Sequence, residues 1–370
     1  MASSKHFHLI VPVWGKTYIE LFTDVCLPML LTPGNMGALG QRRGNQVVIM
    51  TTWEDHLSIQ NSVSFYRLKD IITVKFVLID GLLDFDNSHW SMSECYAMAM
   101  VREEVIPGET CFLFLTPDSF WPDGTFRRLD ELVNQDFKVV MAGGLRVNSE
   151  SMSEILRERI ARFPDNPAFP LQELVRLALT NIHQLSTAHN MLSKSGFLNS
   201  WPSHMYWINE RDQQFVAHCF HLHPLIVVAP KSKTAVGTTI DGEFLNNLRY
   251  PLDSYHVIQE EFLAIELTPA ERTWNQPLGS PLIEQIVRFS MRYANSRHWH
   301  FFGKRIMFNG SPEKPFNSLL MDSIDRVVKR IEKNKPLALF IQQLRLHRII
   351  LVIDRYMGSM RRILSWFRLR

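Results

Sequence analysis

Cysteine is scarce in this 370-residue chain, and the four present (Cys26, Cys95, Cys111 and Cys219) are widely spaced with no C-x-x-C pair. That excludes a disulfide framework and a cysteine-based zinc module, and predicts four reduced, mostly buried thiols in a cytosolic protein. Long hydrophobic runs are missing too. Although 46% of the residues are apolar, no stretch reaches the roughly eighteen uninterrupted apolar residues of a membrane span. The segment Met1 to His8 is polar and leads into a strand, which predicts no signal peptide and a cytoplasmic location. Charge of one sign is also lacking. Forty Lys and Arg stand against 37 Asp and Glu, a net +3, and the aromatic residues are not interleaved with a basic stripe, so nucleic acid is not an expected partner.

Familiar glycine and catalytic motifs are absent as well. Gly15-Lys16-Thr17 lacks the upstream glycine of a phosphate-binding loop, because position 10 is Ile. No Gly-rich turn follows the first strand, as dinucleotide binding requires, and neither G-x-S-x-G nor H-E-x-x-H occurs.

What is there is alternation. Short apolar runs at His8–Val13, Gln46–Thr51, Thr73–Ile79, Cys111–Leu115 and Lys138–Ala142 read as strands. Between them, Tyr18–Leu31, His56–Leu68, Ser91–Val105 and Thr125–Asn134 carry helical spacing, the third with a capping box at Ser91 to Glu94. Repeated βα units predict an α/β fold, a mainly parallel sheet flanked by helices. Further on, Ser149–Arg162 and Pro170–Ser193 read as helices and residues 204–230 as strands. Residues 232–335 are mixed, with His298-Trp299-His300 read as structural.

In open α/β sheets ligands bind beyond the carboxyl ends of the strands. Asp118, after Cys111–Leu115 and before the helix at Thr125, is therefore the first candidate site residue, with Ser119 beside it. Asp123 reads as a cap of that helix. In Cys219-Phe220-His221-Leu222-His223-Pro224, alternate residues of an extended segment share a face, so His221 and His223 should project together. Asp241 and Glu243 place two carboxylates in one turn, candidates for a general base toward a hydroxyl, with a surface turn as the alternative.

The order of these motifs resembles the nucleotide-sugar-dependent glycosyltransferases of the GT-A fold. Ile10-Val11-Pro12-Val13-Trp14-Gly15 is similar to their first strand and turn. Leu115-Thr116-Pro117-Asp118-Ser119, continuing through Trp121-Pro122-Asp123-Gly124-Thr125 to Leu129, is similar to their D-x-D-like strand end and following helix. The resemblance covers residues 6–145. It implies donor contacts at Pro12, Val13, Trp14, Asp118 and Ser119, and at Trp53, Glu54 and Asp55, where the alternative is capping of the next helix. It also implies a divalent cation (Mn2+ or Mg2+) held by Asp118 with His221 and His223. The first Asp of the motif is replaced by Thr116, so a second ligand must come from elsewhere or cationic and neutral donors must replace the metal.

Three parts are expected: residues 1–148 as the nucleotide-sugar-binding half, 149–335 as a mixed acceptor side, and 336–370 as a basic amphipathic helix. In the last, His347-Arg348, Asp354-Arg355 and Arg361-Arg362 recur at seven-residue spacing. That pattern suits either an anionic membrane surface at the inner face or packing on this chain or a second copy in a homo-oligomer. The implied activity is transfer of a sugar from a nucleotide donor to a glycan or lipid-linked acceptor in surface polysaccharide assembly. The alternative is a non-catalytic binding or scaffold protein that docks through its C-terminal helix.

Overall fold

The computed structural model describes residues 5–40, 42–84, 87–102, 104–193, 201–231, 239–272 and 282–344. Among these the strands are β1 (His6–Pro12), β2 (Gln46–Thr51), β3 (Thr73–Leu78), β4 (Thr110–Phe114), β5 (Ser119–Phe120), β6 (Val139–Ala142), β7 (Gly144–Asn148), β8 (His204–Asn209), β9 (Gln214–Cys219), β10 (His223–Val228), β11 (Tyr255–Val257), β12 (Ala264–Thr268) and β13 (Ile306–Asn309). Seven form the central sheet, in the order β11-β6-β10-β4-β1-β2-β3. Every neighbouring pair is parallel except those made by β10, which runs against both β4 and β6. The expected α/β class with a mainly parallel sheet is therefore what the chain adopts.

Strand periodicity explains why this sheet is buried on both faces. Phe7, Leu9 and Val11 of β1, with Cys111 and Leu113 of β4, enter one apolar cluster. Ile10, Phe112 and Phe114 enter the other. Successive side chains of a strand point to opposite faces, so a strand with no polar alternation needs cover on both sides. Helices supply it. Thr125–Asn134 forms as expected and buries Phe126, Leu129, Leu132 and Val133. Each such side chain contributes about 1.5–3 kcal/mol on burial.

Three helices depart from expectation for local reasons. Residues 53–71 form two helices, Trp53–Gln60 and Val63–Ile71, because Ser62 caps the second by accepting from the Phe65 N–H at 3.2 Å. The third expected helix begins at Ser88 behind an Asn87 cap. Ser91 instead accepts from the Asp84 N–H at 2.8 Å, so the capping box at Ser91 is not formed. The first helix, from Lys16 to Leu30, contains a π-turn at Phe22–Cys26, just before Pro28. Proline supplies no N–H, and widening the turn accommodates the loss.

The chain leaves the central sheet at Gly143 and enters a second one, β5-β12-β7. A Cβ at Gly144 would lie 3.0 Å from the Ala264 Cβ and 3.2 Å from its carbonyl oxygen, so glycine lets β7 approach β12 closely here without a shift of its neighbour. A third sheet, β13-β9-β8, packs with the helices Ile283–Tyr293, Ser296–Phe302 and Ser318–Glu332 around Trp207, Phe220, Phe289 and Trp299. His298-Trp299-His300 lies within the second of these, where the His298 Nδ1 accepts from the Asn295 N–H at 3.2 Å. No helix among the described residues is long and apolar enough to cross a membrane. The last described helix is Lys335–Gln343, and the heptad-spaced basic pairs lie outside the described residues.

Candidate functional site

Beyond the carboxyl ends of β1 and β4 lies a cleft of about 730 Å³. The second sheet builds its polar wall. Ser119 on β5 stands opposite Glu266 on β12, and Glu266 stands opposite Arg146 on β7. Residues opposite one another on neighbouring strands share a face, so the three form one row. The Arg146 Nη2 lies 3.0 Å from the Glu266 Oε1. The Arg146 backbone is fixed by Ser186, whose hydroxyl accepts from its N–H at 2.9 Å and donates to its carbonyl at 3.2 Å.

Asp118 precedes this row. Its carbonyl accepts from the Leu267 N–H at 2.8 Å, and its carboxylate borders the cleft at only 8% exposure. Burial, then the nearby Glu266, pushes its pKa from 3.8 up to about 6, against the opposing pull of a Thr116 hydrogen bond and of Arg146. Desolvation and a like charge both disfavour the ionised form. Perturbed carboxyl groups in clefts are characteristic of functional sites.

Arg272 completes the wall. It follows β12 on a turn closed by its own N–H to the Pro269 carbonyl at 2.9 Å. Three side chains pin that turn. Glu150 accepts from the Ala270 N–H at 3.2 Å, His183 bonds the Pro269 carbonyl at 3.0 Å, and Gln184 donates to the Ala270 carbonyl at 3.3 Å. Across the cleft, Tyr18 and His89 lie within the fields of Arg146, Arg272 and Glu266. The Tyr18 phenol is raised by burial and then by Asp118, and the His89 imidazole is lowered by burial and then by Arg272. Both are neutral near pH 7.

Pro12, Val13 and Trp14 line the same cleft at the end of β1. The turn after Trp14 needs Gly15, whose φ is 80°, a region that favours glycine. Its N–H donates to the Asp55 carboxylate at 2.8 Å. Tyr96 holds the β4 end from below, donating its hydroxyl to the Leu115 carbonyl at 2.9 Å. Tyr96→Phe leaves that buried carbonyl unpaired. A loss of about 1–3 kcal/mol is expected in denaturant unfolding, and a change below a few tenths would show that the bond contributes nothing.

Other expected site residues lie elsewhere. Trp53, Glu54 and Asp55 are outside the cleft lining. Trp53 is 60% exposed and stacks on His56, while Asp55 bonds the Thr52 cap and Gly15. The cap of the Trp53–Gln60 helix is Thr52, whose hydroxyl accepts from the Asp55 N–H at 3.2 Å. Asp123 accepts from the Gly34 N–H at 2.6 Å, and Gly124 occupies the helix cap. Asp241 borders the cleft on a π-turn, Ile240–Phe244. The Glu243 side chain lies outside the described residues.

The two histidines part company. β10 begins only at His223, so His221 is not in a strand and the alternation that would align the rings does not apply. His223 is half-buried on the cleft border and neutral, and its Nε2 lies 2.8 Å from the Phe114 carbonyl, to which it donates. His221 packs against Trp201, Phe289 and His298, with ring centroids 5.8, 5.4 and 4.8 Å away. Its buried Nε2 has no hydrogen-bond partner among the described residues. Of the three expected ligands, Asp118 and His223 border the cleft and His221 does not. The bond from the His223 Nε2 leaves its Nδ1 as the ring's acceptor, Glu266 is paired with Arg146, and His221 faces an aromatic cluster. Among the described residues no three His, Cys, Asp or Glu side chains converge to hold a metal.

Arg146, Glu266 and Arg272 carry no sequence signal of their own. Arg146 sits in Gly144–Asn148, where an alternating burial pattern leaves position 146 half-exposed, and its partner is 120 residues further on.

No family model matches the sequence, and no curated protein matches it. Solved structures similar to part of it include S. aureus TarS residues 1–349, at 14% identity and TM-score 0.28, covering 38% of this chain and 36% of that one. Mouse xyloside xylosyltransferase 1 in its apo form is similar at 15% identity and TM-score 0.26, covering 37% and 52%. A putative glucose-1-phosphate thymidylyltransferase from Bacillus anthracis in complex with a sucrose is similar at 11% identity and TM-score 0.23, covering 38% and 55%. The chain thus spans about a third of the length of the TarS structure. Likeness at this level fixes no residue's role.

Proposed function

We propose that this chain is a glycosyltransferase that takes its sugar from a nucleoside-diphosphate donor held in the cleft beyond β1 and β4. The observation that carries this is Asp118 with the row of Ser119, Glu266 and Arg146 beside it, beyond the strand ends of the central sheet and closed by Arg272. It places fixed cations beside a desolvated carboxyl group where a parallel sheet receives ligands. Pro12, Val13, Trp14 and Tyr18 form the opposite wall and suit the flat faces of a nucleoside.

In the reaction an acceptor hydroxyl oxygen bonds to the anomeric carbon as the bond from that carbon to the diphosphate oxygen breaks. The nucleoside diphosphate leaves with the bonding pair, and the hydroxyl proton passes to a carboxylate. Asp241, on the cleft border, is the residue we assign to accept it, with Glu243 two positions on as the alternative. The acceptor is a glycan or lipid-linked hydroxyl in surface polysaccharide assembly. The C-terminal basic segment would bring the protein to an anionic membrane surface.

The test is release of nucleoside diphosphate from a panel of nucleotide sugars, with and without candidate acceptors. Turnover of one donor is expected, reduced about a hundredfold or more by Asp118→Ala, as when a group stabilising transition-state charge is removed. Binding without turnover across the panel would favour the non-catalytic alternative.

A further inference from the structure

We propose that Arg146 and Arg272 are the anion-binding pair of this cleft and take the donor diphosphate directly, in place of a divalent cation; this rests on the donor reading above. The two guanidinium groups divide the work. Arg146 projects from a strand, and its Nη2 is oriented by Glu266 at 3.0 Å. A guanidinium has five N–H donors in a rigid fork, so one carboxylate contact leaves donors for phosphoryl oxygens. Glu266 offsets its charge, which makes Arg146 chiefly a geometric element.

Arg272 supplies uncompensated charge. Among the described residues it forms no ion pair, yet the turn that bears it is tied down at both Pro269 and Ala270 by Glu150, His183 and Gln184. A rigid support for an unpaired cation at a cleft border is what recognition of an anion requires. Guanidinium groups match phosphate oxygens in a bidentate manner. Thr116 stands where the motif's first carboxylate would be and His221 lies outside the cleft lining, so Asp118 is the one carboxylate of the expected metal set at the cleft, whereas two guanidinium groups border it. Positive charge reaches this cleft through arginine.

Calorimetric titration of the full chain with uridine, guanosine, cytidine and thymidine diphosphates, first in EDTA and then in excess Mn2+, separates the possibilities. At least one nucleotide should bind in EDTA with an affinity within about threefold of that in Mn2+, a difference under 1 kcal/mol. Arg272→Gln should weaken that binding about tenfold or more, the scale of one charge-assisted hydrogen bond. Arg146→Lys keeps the charge but not the fork and should weaken it similarly, with unchanged near-ultraviolet circular dichroism confirming the fold of both variants. Binding seen only with Mn2+ would overturn the pair as a metal substitute while leaving the donor reading intact. Binding in EDTA that survives both substitutions would overturn the assignment to these residues. Failure of every nucleotide in both conditions would overturn the donor reading and the pair with it.

Discussion

Asp118→Asn is expected to stabilise the metal-free protein at neutral pH while removing transfer activity. The folded carboxyl group has its pKa raised from 3.8 to about 6 by burial and by Glu266. For an acid raised in this way, the folded state binds the proton more tightly than the unfolded chain does. Wild-type stability therefore falls as pH rises from about 4 through about 6, and the full penalty is present at pH 7. The rise from 3.8 to about 6 corresponds to roughly 3 kcal/mol at most. Asn carries no charge, keeps the shape, and can accept the Thr116 hydrogen bond through its Oδ1. A gain of about 1–3 kcal/mol is expected at pH 7.5, shrinking toward zero near pH 4. Denaturant unfolding in EDTA at the two pH values measures it. Destabilisation at pH 7.5, or a gain that does not change with pH, would contradict the environment assigned to Asp118. Stability gained with activity lost marks a residue retained for chemistry at the expense of the fold.

Phe114→Ala is expected to produce the largest loss of stability. Phe114 is fully buried at the end of β4, with ring centroids 4.9 Å from Tyr96, 6.0 Å from Phe112 and 6.1 Å from Phe244. Truncation removes the transferred apolar surface and leaves a cavity among groups that cannot close on it, at a cost of about 3–5 kcal/mol. Phe114→Leu should cost less, about 1–2 kcal/mol. The effect reaches the cleft, because the Phe114 carbonyl holds His223 and its ring supports Phe244 in the π-turn of Asp241. A lower denaturant midpoint with an unchanged slope is the expected observation. A loss below about 1 kcal/mol would mean that the site closes over the void.

The central strands and the end of β4 were legible in the chain because their information is local. Cys111-Phe112-Leu113-Phe114-Leu115 has no polar alternation, which only a sheet covered on both faces satisfies, and a strand end in such a sheet carries ligand-facing residues wherever the later chain goes. Asp118 follows from that alone. The pairing of Arg146 with Glu266 does not. It depends on β7 and β12 meeting in register, and two charged residues in separate short segments leave no periodic trace. His221 and His223 show the opposite failure. Alternation is a sound rule inside a strand, but the strand starts at His223, and an aromatic cluster assembled from Trp201, Phe289 and His298 captured His221. Trp53, Glu54 and Asp55 were open between ligand contact and helix capping. Their surroundings depend on chain folding that local sequence does not carry: the cap is Thr52, and the Asp55 carboxylate bonds Thr52 and the distant Gly15.

The most direct test of the donor cleft is a hydrogen-exchange footprint of the best-binding nucleoside diphosphate on the full chain. Protection should appear in four segments distant in sequence: residues 12–18 after β1, 116–121 after β4, 142–146 at the start of β7 and 266–272 at the end of β12. Protection confined to other surfaces, with these four segments unchanged under saturating nucleotide, would contradict the placement of the donor in this cleft.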